Sequence, residues 1–394
     1  MNIFKDSKIL VGTGIISDFT FRPFEKEIIE FFSLLSKNIQ SNKNAIKFSD
    51  LLTFAFFCRE KNLISLKRKY SDLNLRMGLG LSFHITPSNI PTNFAYSLLF
   101  GLLSGNSNII RVPSKNFPQV DIICNEINKT LIKFPKLKNN IKIIKYSKNN
   151  ELTEKISLIS DARLIWGGNK TIEETKKFKT KINNRDLYFA DKNSICLINF
   201  DKFKELNLND VNLLVNNFYN DTYLVDQNAC SSPHVIFWYS KNQVSEKIKN
   251  KFWSNLSNLV EKKYEINFSG SFFKYERSID DCLNKKKIKI LKNSSIYRVQ
   301  LKNKDINLNS TKAKWGYFYE RNINNINQIM KYSNEATQTL SYFGFEKDYL
   351  KKIFTNKSYK GIDRIVKIGQ ALSISLYWDG YDIISNLTKI KDVR

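Results

Sequence analysis

A cysteine in a short polar segment is the first candidate for chemistry. Cys230 lies in the run Asp226-Gln227-Asn228-Ala229-Cys230-Ser231-Ser232-Pro233, just before the apolar stretch 235–239. Small neighbours leave room for a ligand, and the backbone N–H groups of such a loop can lower a thiol pKa and stabilise an oxyanion. A buried structural cysteine is the alternative. A Cys/His pair would require the fold to bring a histidine such as His234 close to the thiol.

The second candidate is an asparagine held between two prolines. Asn89 lies in the run His84-Ile85-Thr86-Pro87-Ser88-Asn89-Ile90-Pro91. Proline fixes φ and stiffens a turn, so a ligand-facing amide at Asn89 could donate a hydrogen bond to a developing oxyanion. The alternative is structural, because Ser88 or Asn89 could equally cap a helix that has Pro91 at its first position.

The spacing of apolar residues predicts the elements that carry these two runs. It predicts helices over 1–77 and then alternating strands and helices. The predicted strands are 81–86, 108–112, 141–146 and 163–166, and the predicted helices are 92–104, 119–133, 151–158 and 171–181. A strand at 194–200 and a helix at 211–219 precede the Cys230 run, and a strand at 235–239 follows it. This alternation is typical of βαβ units and a parallel sheet, with ligands at the carboxyl ends of its strands.

The glycine-rich fingerprint of common dinucleotide-binding folds is missing. Gly78-Leu79-Gly80 precedes the predicted strand instead of following it, and Phe83 stands where a third glycine would be. We therefore expect any cofactor to be bound differently from that of a common dehydrogenase.

Several runs, taken in order, resemble the aldehyde dehydrogenase superfamily. The resemblance is closer to its fatty acyl-CoA reductase branch, which includes the reductase subunit of bacterial bioluminescence. It spans about residues 78–385. The runs are Pro87-Ser88-Asn89-Ile90-Pro91, Gly105-Asn106-Ser107-Asn108-Ile109-Ile110-Arg111-Val112-Pro113-Ser114-Lys115, Ile165-Trp166-Gly167-Gly168, the Cys230 run, Gly361-Ile362-Asp363-Arg364-Ile365-Val366 and Trp378-Asp379-Gly380-Tyr381-Asp382.

The resemblance implies an α/β fold of the aldehyde dehydrogenase type, with a Rossmann-like cofactor domain and an α/β catalytic domain. The implied segments are a helical N-terminal region 1–77 packed on the cofactor domain, an NADP-binding domain 78–192, a catalytic domain 193–350 and a C-terminal segment 351–394 that completes the structure. Cys230 would be the acyl-accepting nucleophile, and Asn89 would stabilise the oxyanion.

The cofactor that the resemblance implies is NADPH. Its expected contacts are Thr86, Pro87, Ser88, Arg111, Ser114, Lys115, Gly167 and Gly168. Among these, Arg111, Ser114 and Lys115 are candidates for the ribose 2′-phosphate, although each could equally be a solvated residue at a strand end. A cation at this place favours NADP over NAD.

Two departures from the superfamily pattern bear on the reaction. Tyr188, in the run Tyr188-Phe189-Ala190-Asp191-Lys192, stands where ordinary aldehyde dehydrogenases carry a glutamate general base. Without a base to activate water, hydrolysis of an acyl-enzyme would be suppressed, which fits a reductase. The chain is also short toward its N-terminus for the superfamily, so the usual oligomerising elements are in doubt and a homo-oligomer is left open.

The implied activity is NADPH-dependent reduction of a fatty acyl thioester to the aldehyde. The acyl group would come from acyl-CoA or an acyl carrier, and an acyl-protein synthetase is a candidate partner. Two alternatives stay open. One is the same chemistry on a short or glycan-related acyl group, and the other is a non-catalytic polyanion-binding protein that has kept this fold.

The charge balance is strongly basic. The 394 residues include 63 Lys+Arg and 37 Asp+Glu, which gives a formal net charge of +26. The lysines are spread along the whole chain, which fits the codon bias of an AT-rich genome better than a nucleic-acid-binding stripe, so we expect no specific nucleic-acid partner. In the densest run, Lys285-Lys286-Lys287-Ile288-Lys289, we predict a strand with Ile288 and Ile290 facing inward and Lys287 and Lys289 outward.

The cysteines indicate a reducing compartment, which we take to be the cytoplasm. There are five in no CxxC pattern, and Cys58, Cys124, Cys196 and Cys282 lie in apolar or helical contexts that predict burial. With two histidines and no His/Cys cluster, we expect no metal site. Charges interrupt the apolar runs, so we expect neither a signal peptide nor a membrane span.

Overall fold

The computed structural model describes residues 3–13, 16–17, 19–285, 288–293, 295–302, 307–355 and 359–392. The chain divides into two compact units, one of Met1–Ala190 with Ser375–Arg394 and the other of Asp191–Ile374. The four segments predicted from the sequence are a finer division and stay a prediction.

The first unit is built on a six-stranded sheet. Its strands are β1 (Lys8–Val11), β3 (Leu81–Ile85), β4 (Ser107–Val112), β5 (Ile141–Lys145), β6 (Ala162–Trp166) and β7 (Arg185–Phe189), while β2 (Arg76–Gly78) lies outside this sheet. Its helices are α1 (Lys26–Ser41), α2 (Ser49–Phe57), α3 (Glu60–Lys67), α4 (Asn93–Leu103), α5 (Pro118–Leu131), α6 (Asn150–Ile159) and α7 (Asn169–Lys176). The strand order is β1-β5-β4-β3-β6-β7, in which β1 is antiparallel to β5 and the other pairs are parallel.

Burial explains why the central strands could be predicted. All five residues of β3 and of β6 are buried, as are five of the six in β4. Parallel strands covered on both faces leave nearly continuous apolar stretches in a sequence. The strands and helices predicted between 81 and 181 are accordingly confirmed in order and type, and their ends differ from the structure by a few residues.

The N-terminal region differs from the prediction of helices over 1–77. Helices α1, α2 and α3 are present, but β1 pairs with β5 so that Ile9 lies opposite Ile144. An edge strand of four residues has too short an alternation to be recognised without its partner strand.

The second unit is built on a seven-stranded sheet. Its strands are β8 (Asn193–Asn199), β9 (Pro233–Tyr239), β10 (Ile288–Lys292), β11 (Tyr297–Leu301), β12 (Tyr317–Ile323), β13 (Thr337–Phe343) and β14 (Arg364–Lys367). Its helices are α8 (Phe200–Lys204), α9 (Leu208–Thr222), α10 (Glu246–Lys263), α11 (Phe268–Asn284), α12 (Asn327–Tyr332) and α13 (Lys347–Thr355). The order is β10-β11-β12-β9-β8-β13-β14, with β10 antiparallel to β11 and the other pairs parallel.

The C-terminal residues return to the first unit. They form β15 (Tyr377–Trp378), β16 (Tyr381–Asp382), α14 (Ile383–Asn386) and β17 (Thr388–Ile390). Strand β17 pairs antiparallel with β2, and the Asn106 side chain donates to the Leu387 carbonyl at 2.9 Å. Within the described residues, the helices are too short or too polar to cross a bilayer.

Three of the four cysteines predicted to be buried are buried. Cys58, Cys124 and Cys196 are confirmed, but the prediction for Cys282 is wrong because this residue is exposed on α11. The lysine-rich run is a strand from Ile288 onward, with Ile288 and Ile290 half-buried and Lys289 exposed. Lys286 and Lys287 lie outside the described residues.

A buried polar cluster joins helix α4 to the sheet of the first unit. The ring of His84 lies 2.7 Å from Ser97 Oγ and 2.9 Å from Asn108 Oδ1, and the Trp166 indole donates to Ser97 Oγ at 3.0 Å. Gly101 lets α4 approach closely, since a Cβ there would lie 1.8 Å from Asn108 Oδ1. Burial lowers the pKa of His84 from 6.5 to about 3, so the folded protein holds this ring neutral.

This lowered pKa predicts a pH dependence of stability. Unfolded chains protonate His84 as the pH falls below about 6.5, whereas the folded protein does not bind this proton until about pH 3. Relative to a His84→Gln variant, we expect the free energy of unfolding of the wild type to fall by ~1.4 kcal/mol per pH unit between pH 6 and 4. Urea unfolding at a series of pH values measures this difference.

The matched control for this prediction is Ser82→Ala. Ser82 Oγ donates to the same Asn108 Oδ1 at 3.1 Å but does not titrate. Its stability difference from the wild type should be constant over this pH range. A constant difference for His84→Gln as well would contradict the prediction.

Candidate active site

The residues predicted to bind a cofactor lie at one edge of the first unit's sheet. Strands β3, β4 and β6 are adjacent and parallel, and the residues that follow their carboxyl ends are 86–92, 113–117 and 167–168. The chain continues from β3 through α4 to β4 on one side, while β6 lies on the other side of β3. Such a reversal of strand order is where open parallel sheets bind ligands.

The turn that carries Asn89 is tied to the neighbouring strand. Thr86 donates to the Arg111 carbonyl twice, from its backbone N at 3.2 Å and from Oγ1 at 2.9 Å. Beyond it, Pro87 is half-buried, and Ser88 and Asn89 are exposed. The N-cap of α4 is Thr92, so the alternative in which Ser88 or Asn89 caps this helix is wrong.

Arg111 is the most constrained of the predicted phosphate-binding residues. Its guanidinium lies 4.7 Å from the centre of the Tyr146 ring, and its buried Nε has no hydrogen-bond partner among the described residues. Ser114 and Lys115 are exposed just beyond β4, where the Lys115 ammonium lies 5.1 Å from the Phe117 ring.

Gly167 and Gly168 connect β6 to helix α7. The Gly167 N–H donates to the Phe189 carbonyl at 3.2 Å, and Gly168 is the N-cap of α7. A Cβ at Gly167 would lie 3.2 Å from the Thr171 side chain, so the backbone passes close to the first turn of the helix. The N–H groups at the start of a helix suit an anionic ligand.

A groove of about 630 Å³ lies beyond the carboxyl end of β5, next to these residues in the strand order. No motif in the sequence predicted this groove. Its lining is Asp6, Tyr146, Ser147, Lys148, Asn149 and Asn150. Asn149 also caps α6 by accepting from the Leu152 N–H at 3.0 Å. The groove could have been found from the end of the predicted strand 141–146, because the residues that follow parallel strands often bind ligands.

In the second unit, the backbone before Cys230 has an unusual conformation. After α9 and a short 3₁₀ turn, Asp226 and Gln227 have φ values of 52° and 57°. Non-glycine residues adopt this left-handed region at a cost of roughly 1–2 kcal/mol each. Strain of this kind persists only where other contacts fix it, and it occurs often at functional sites.

Gln227 supplies the contacts that fix this backbone. Its buried side chain donates from Nε2 to the Pro233 carbonyl at 3.0 Å and accepts from the Gly316 N–H at 3.2 Å. The Trp315 N–H donates to the Asp226 carbonyl at 3.2 Å, and the Tyr264 hydroxyl donates to the Asp226 carboxylate. The run before Cys230 is thereby connected to the loop preceding β12.

Cys230 lies in a tight turn that is hydrogen-bonded to the start of β8. It is half-buried and is not part of a disulfide. The Ser232 N–H donates to the Ala229 carbonyl at 3.0 Å across the turn, and Ser194 Oγ donates to the Cys230 carbonyl at 2.6 Å. The same Ser194 oxygen accepts from the Thr339 N–H at 3.1 Å. The backbone of Cys230 is therefore fixed by the amino-terminal ends of β8 and β13.

A buried carboxylate supports the other side of this turn. The Asp221 carbonyl accepts from Ser232 Oγ at 2.8 Å. Its side-chain oxygens accept from the Gly369 N–H at 2.6 Å and the Ala371 N–H at 2.8 Å. Burial raises the pKa of Asp221 to about 6, although these amide donors act in the opposite direction. Neither Asp221 nor Ser194 belongs to a motif that could be recognised in the sequence.

His234 is not suited to act as the base for Cys230. It is buried, and its Nδ1 accepts a hydrogen bond from the Ala313 N–H at 3.3 Å. In the neutral ring the proton is then on Nε2, so neither nitrogen has a free lone pair for a thiol proton. Burial lowers the pKa of His234 to about 3.

The hydroxyl of Tyr188, in the first unit, already makes a hydrogen bond. It donates to the Asp186 carboxylate, which also accepts from the Arg163 guanidinium. Burial, followed by the hydrogen bond to Asp186, raises the pKa of the Tyr188 phenol. The phenol stays protonated at neutral pH and cannot replace a glutamate as a proton acceptor.

Comparisons with known proteins agree with this architecture. The family model described as Acyl-CoA reductase (LuxC) matches residues 36–390. Solved structures with a similar fold include lactaldehyde dehydrogenase from Escherichia coli, at 10% identity, with 93% of this chain and 85% of that chain covered and a TM-score of 0.63. None of the curated proteins matches the sequence significantly.

The names of two further solved structures with a similar fold include a nicotinamide cofactor. NADP-dependent glyceraldehyde-3-phosphate dehydrogenase from Bacillus halodurans, complexed with NADP, is 13% identical, with 94% of this chain and 86% of that chain covered and a TM-score of 0.60. NAD-dependent aldehyde dehydrogenase from Sinorhizobium meliloti is 9% identical, with 93% and 81% covered and a TM-score of 0.66. At these identities the likeness shows the fold, which confirms the predicted aldehyde dehydrogenase type.

The position of Ser194 predicts that the Cys230 turn depends on it. Ser194→Ala removes the donor to the Cys230 carbonyl and the acceptor of the Thr339 N–H. A buried polar group left without a partner costs about 1–3 kcal/mol, so we expect the free energy of unfolding to fall by about 2 kcal/mol or more in urea titrations.

The control is Ser310→Ala, in which an exposed serine loses one hydrogen bond, at 2.9 Å, to the Asn307 carbonyl. We expect a change within about 0.5 kcal/mol there. Equal effects of the two substitutions would contradict the supporting role of Ser194.

Proposed function

The chain belongs to the acyl-CoA reductase (LuxC) family, and from that premise we propose that it reduces a fatty acyl thioester to the aldehyde with NADPH, through an acyl group held on Cys230. The observation that carries this proposal is the half-buried Cys230 in a turn whose carbonyl is fixed by Ser194 at 2.6 Å. The strained backbone that precedes it supports a functional role.

The first step is transfer of the acyl group to the protein. The Cys230 thiolate attacks the carbonyl carbon of the thioester, so a new C–S bond forms to Sγ. The C–S bond to the donor then breaks, and the departing thiolate takes up a proton from solvent. The products of this step are the Cys230 acyl-enzyme and the free thiol of coenzyme A or of a carrier.

The residues around Cys230 serve this step by holding its backbone. Gln227 fixes the backbone before the turn and Ser194 fixes the Cys230 carbonyl, so little reorganisation is needed when the carbonyl carbon of the thioester becomes tetrahedral. From the family resemblance we propose that the Asn89 amide and the Cys230 N–H donate to the oxyanion. Removal of one such donor typically lowers a rate by roughly 10²–10³-fold.

The first unit offers residues that fit a dinucleotide. The buried Arg111 Nε without a partner among the described residues is a donor for an anionic group, and Gly168, the N-cap of α7, brings no side chain of its own to the first N–H groups of that helix. Thr86, Pro87 and Ser88 line the turn beside them. When bound, reduced nicotinamide supplies the hydride that takes the acyl group to the aldehyde.

The proposed preference for NADPH rests on cations at the end of β4 and just after it. Arg111 and Lys115, with Ser114 between them, are proposed to contact the ribose 2′-phosphate, which NADH lacks. The 630 Å³ groove beyond β5 is proposed to hold the adenosine end, next to the Tyr146 ring that stacks on Arg111.

The state of Tyr188 supports reduction over hydrolysis. We propose that Tyr188 takes the position of the glutamate of ordinary aldehyde dehydrogenases, and its raised pKa and hydrogen bond to Asp186 mean that its hydroxyl does not accept a proton from water. An acyl-enzyme would then persist until it is reduced. The donor is proposed to be acyl-CoA or an acyl carrier, with an acyl-protein synthetase as the candidate partner.

Replacement of the nucleophile tests the proposal. Cys230→Ala should abolish NADPH oxidation with a long-chain acyl-CoA, because the acyl group has no other acceptor. The decrease in absorbance of NADPH at saturating acyl-CoA measures the rate.

The matched control is Cys282→Ala, since Cys282 is the exposed cysteine of the chain and lies outside the proposed site. This variant should keep the wild-type rate within about twofold. Turnover by Cys230→Ala at a rate close to that of the control would rule out Cys230 as the acyl carrier.

A further inference from the structure

Helix α11 of the second unit has its polar side toward the protein and its apolar side toward solvent. The inward positions include Lys274, Arg277 and Asp281, of which Lys274 and Asp281 are buried. The outer face consists of Phe268, Phe272, Tyr275, Ile279 and Leu283. A surface helix normally has the opposite arrangement, with an apolar face against the core.

Polar contacts hold the inner face to the sheet. Asp281 is completely buried and accepts from the hydroxyls of Tyr317 at 2.8 Å and Tyr319 at 2.6 Å, and it also pairs with Lys285. Arg277 Nε donates to the Tyr319 hydroxyl at 2.9 Å. Phe273 also packs inward, with its ring 5.2 Å from that of Trp315. Because these contacts position the helix, the apolar side chains of its outer face are not needed to attach it to the core.

The same arrangement continues toward the start of the helix. Lys274 Nζ donates to the Ser295 carbonyl at 3.1 Å, and burial lowers its pKa to about 8. Gly270 packs tightly, since a Cβ there would lie 3.0 Å from Trp315. The inner face is therefore in close contact along its length and cannot rotate to exchange places with the outer face.

The outer face is a large apolar surface. Its exposed fractions are 84% for Phe268, 56% for Phe272, 55% for Tyr275, 44% for Ile279 and 80% for Leu283. Together these side chains expose roughly 600 Å², from typical side-chain areas. That is at the upper end of the largest patch found on monomeric proteins, and such patches mark interaction sites.

The spacing of these residues is that of a helix-packing seam. Steps of four, three, four and four residues separate them, and they extend over four turns of α11. Apolar residues that alternate at three and four residues form the contact line between two helices packed at a small angle.

We propose that this face of α11 binds a second copy of the chain, forming a two-fold dimer in which the two α11 helices pack on each other. In a two-fold dimer the same patch serves both subunits. Pairing two such faces would remove about 1,200 Å² from water in total, which reaches the lower limit of a specific interface.

Charge distinguishes this partner from a lipid surface. Helices that lie on membranes carry lysine and arginine beside their apolar face. Here the exposed charges beside that face are the carboxylates of Glu276 and Asp280, of which Asp280 pairs with Arg277 at 3.6 Å, while the buried Lys274 points the other way. In a chain of net charge +26, the Glu276 carboxylate also reduces the repulsion between copies at this surface.

Light scattering during size-exclusion chromatography tests the proposal. The wild type should elute with the mass of a dimer at about 50 μM, and Phe272→Glu/Ile279→Glu should be a monomer, with a dissociation constant raised at least ~100-fold. Leu283→Glu, at the end of the seam, should weaken the dimer to a smaller extent and provides a second variant.

Ile132→Glu is the matched control, because Ile132 is 81% exposed and lies in the first unit. It should remain a dimer, and circular dichroism should show all variants folded. A wild-type monomer, or a dimer that persists in the folded double variant, would overturn the proposal. A third result would also overturn it. If the wild type is a monomer that sediments with vesicles of phosphatidylserine and phosphatidylcholine, and the double variant does not sediment with them, the face binds lipid.

Discussion

Left-handed backbone at Asp226 and Gln227 is the constraint on which the Cys230 turn depends. It reverses the chain between α9 and β9, and it costs free energy that the Gln227 hydrogen bonds to Pro233 and Gly316 offset. With this reversal in place, Ser194 reaches the Cys230 carbonyl. Asp221, which accepts from Ser232, ties the turn to the segment before β15 in the same unit.

In the first unit, an equivalent role belongs to the polar cluster beneath α4. His84, Ser97 and Asn108 satisfy one another where α4 packs on the sheet. They orient α4 on β3 and β4, and so determine where the 86–92 turn leaves the sheet. The residues proposed to hold NADPH are thus positioned by buried hydrogen bonds as well as by strand order.

Two kinds of feature could be predicted from the sequence: strands whose residues are nearly all buried, and short motifs that are continuous in the chain. Strands β3 to β6 are buried on both faces over nearly all of their residues, and the runs around Asn89, Arg111 and Cys230 resemble a known family. Strand β1 was missed because an edge strand depends on its partner. Cys282 was predicted to be buried because an apolar helix face usually points inward, whereas α11 is held by Asp281 and its tyrosine partners. Ser194 and Asp221 act through hydrogen bonds between residues far apart in sequence, which spacing cannot reveal.

The central claim is that Cys230 carries the acyl group. It is tested most directly by mass spectrometry of the wild-type protein mixed, without cofactor, with acyl-CoAs of several chain lengths. We expect the mass of one acyl group to be added, located on the peptide that contains Cys230, and removed when NADPH is supplied. An acyl group located on another residue, or NADPH oxidation with no acyl adduct at any chain length, would contradict the account.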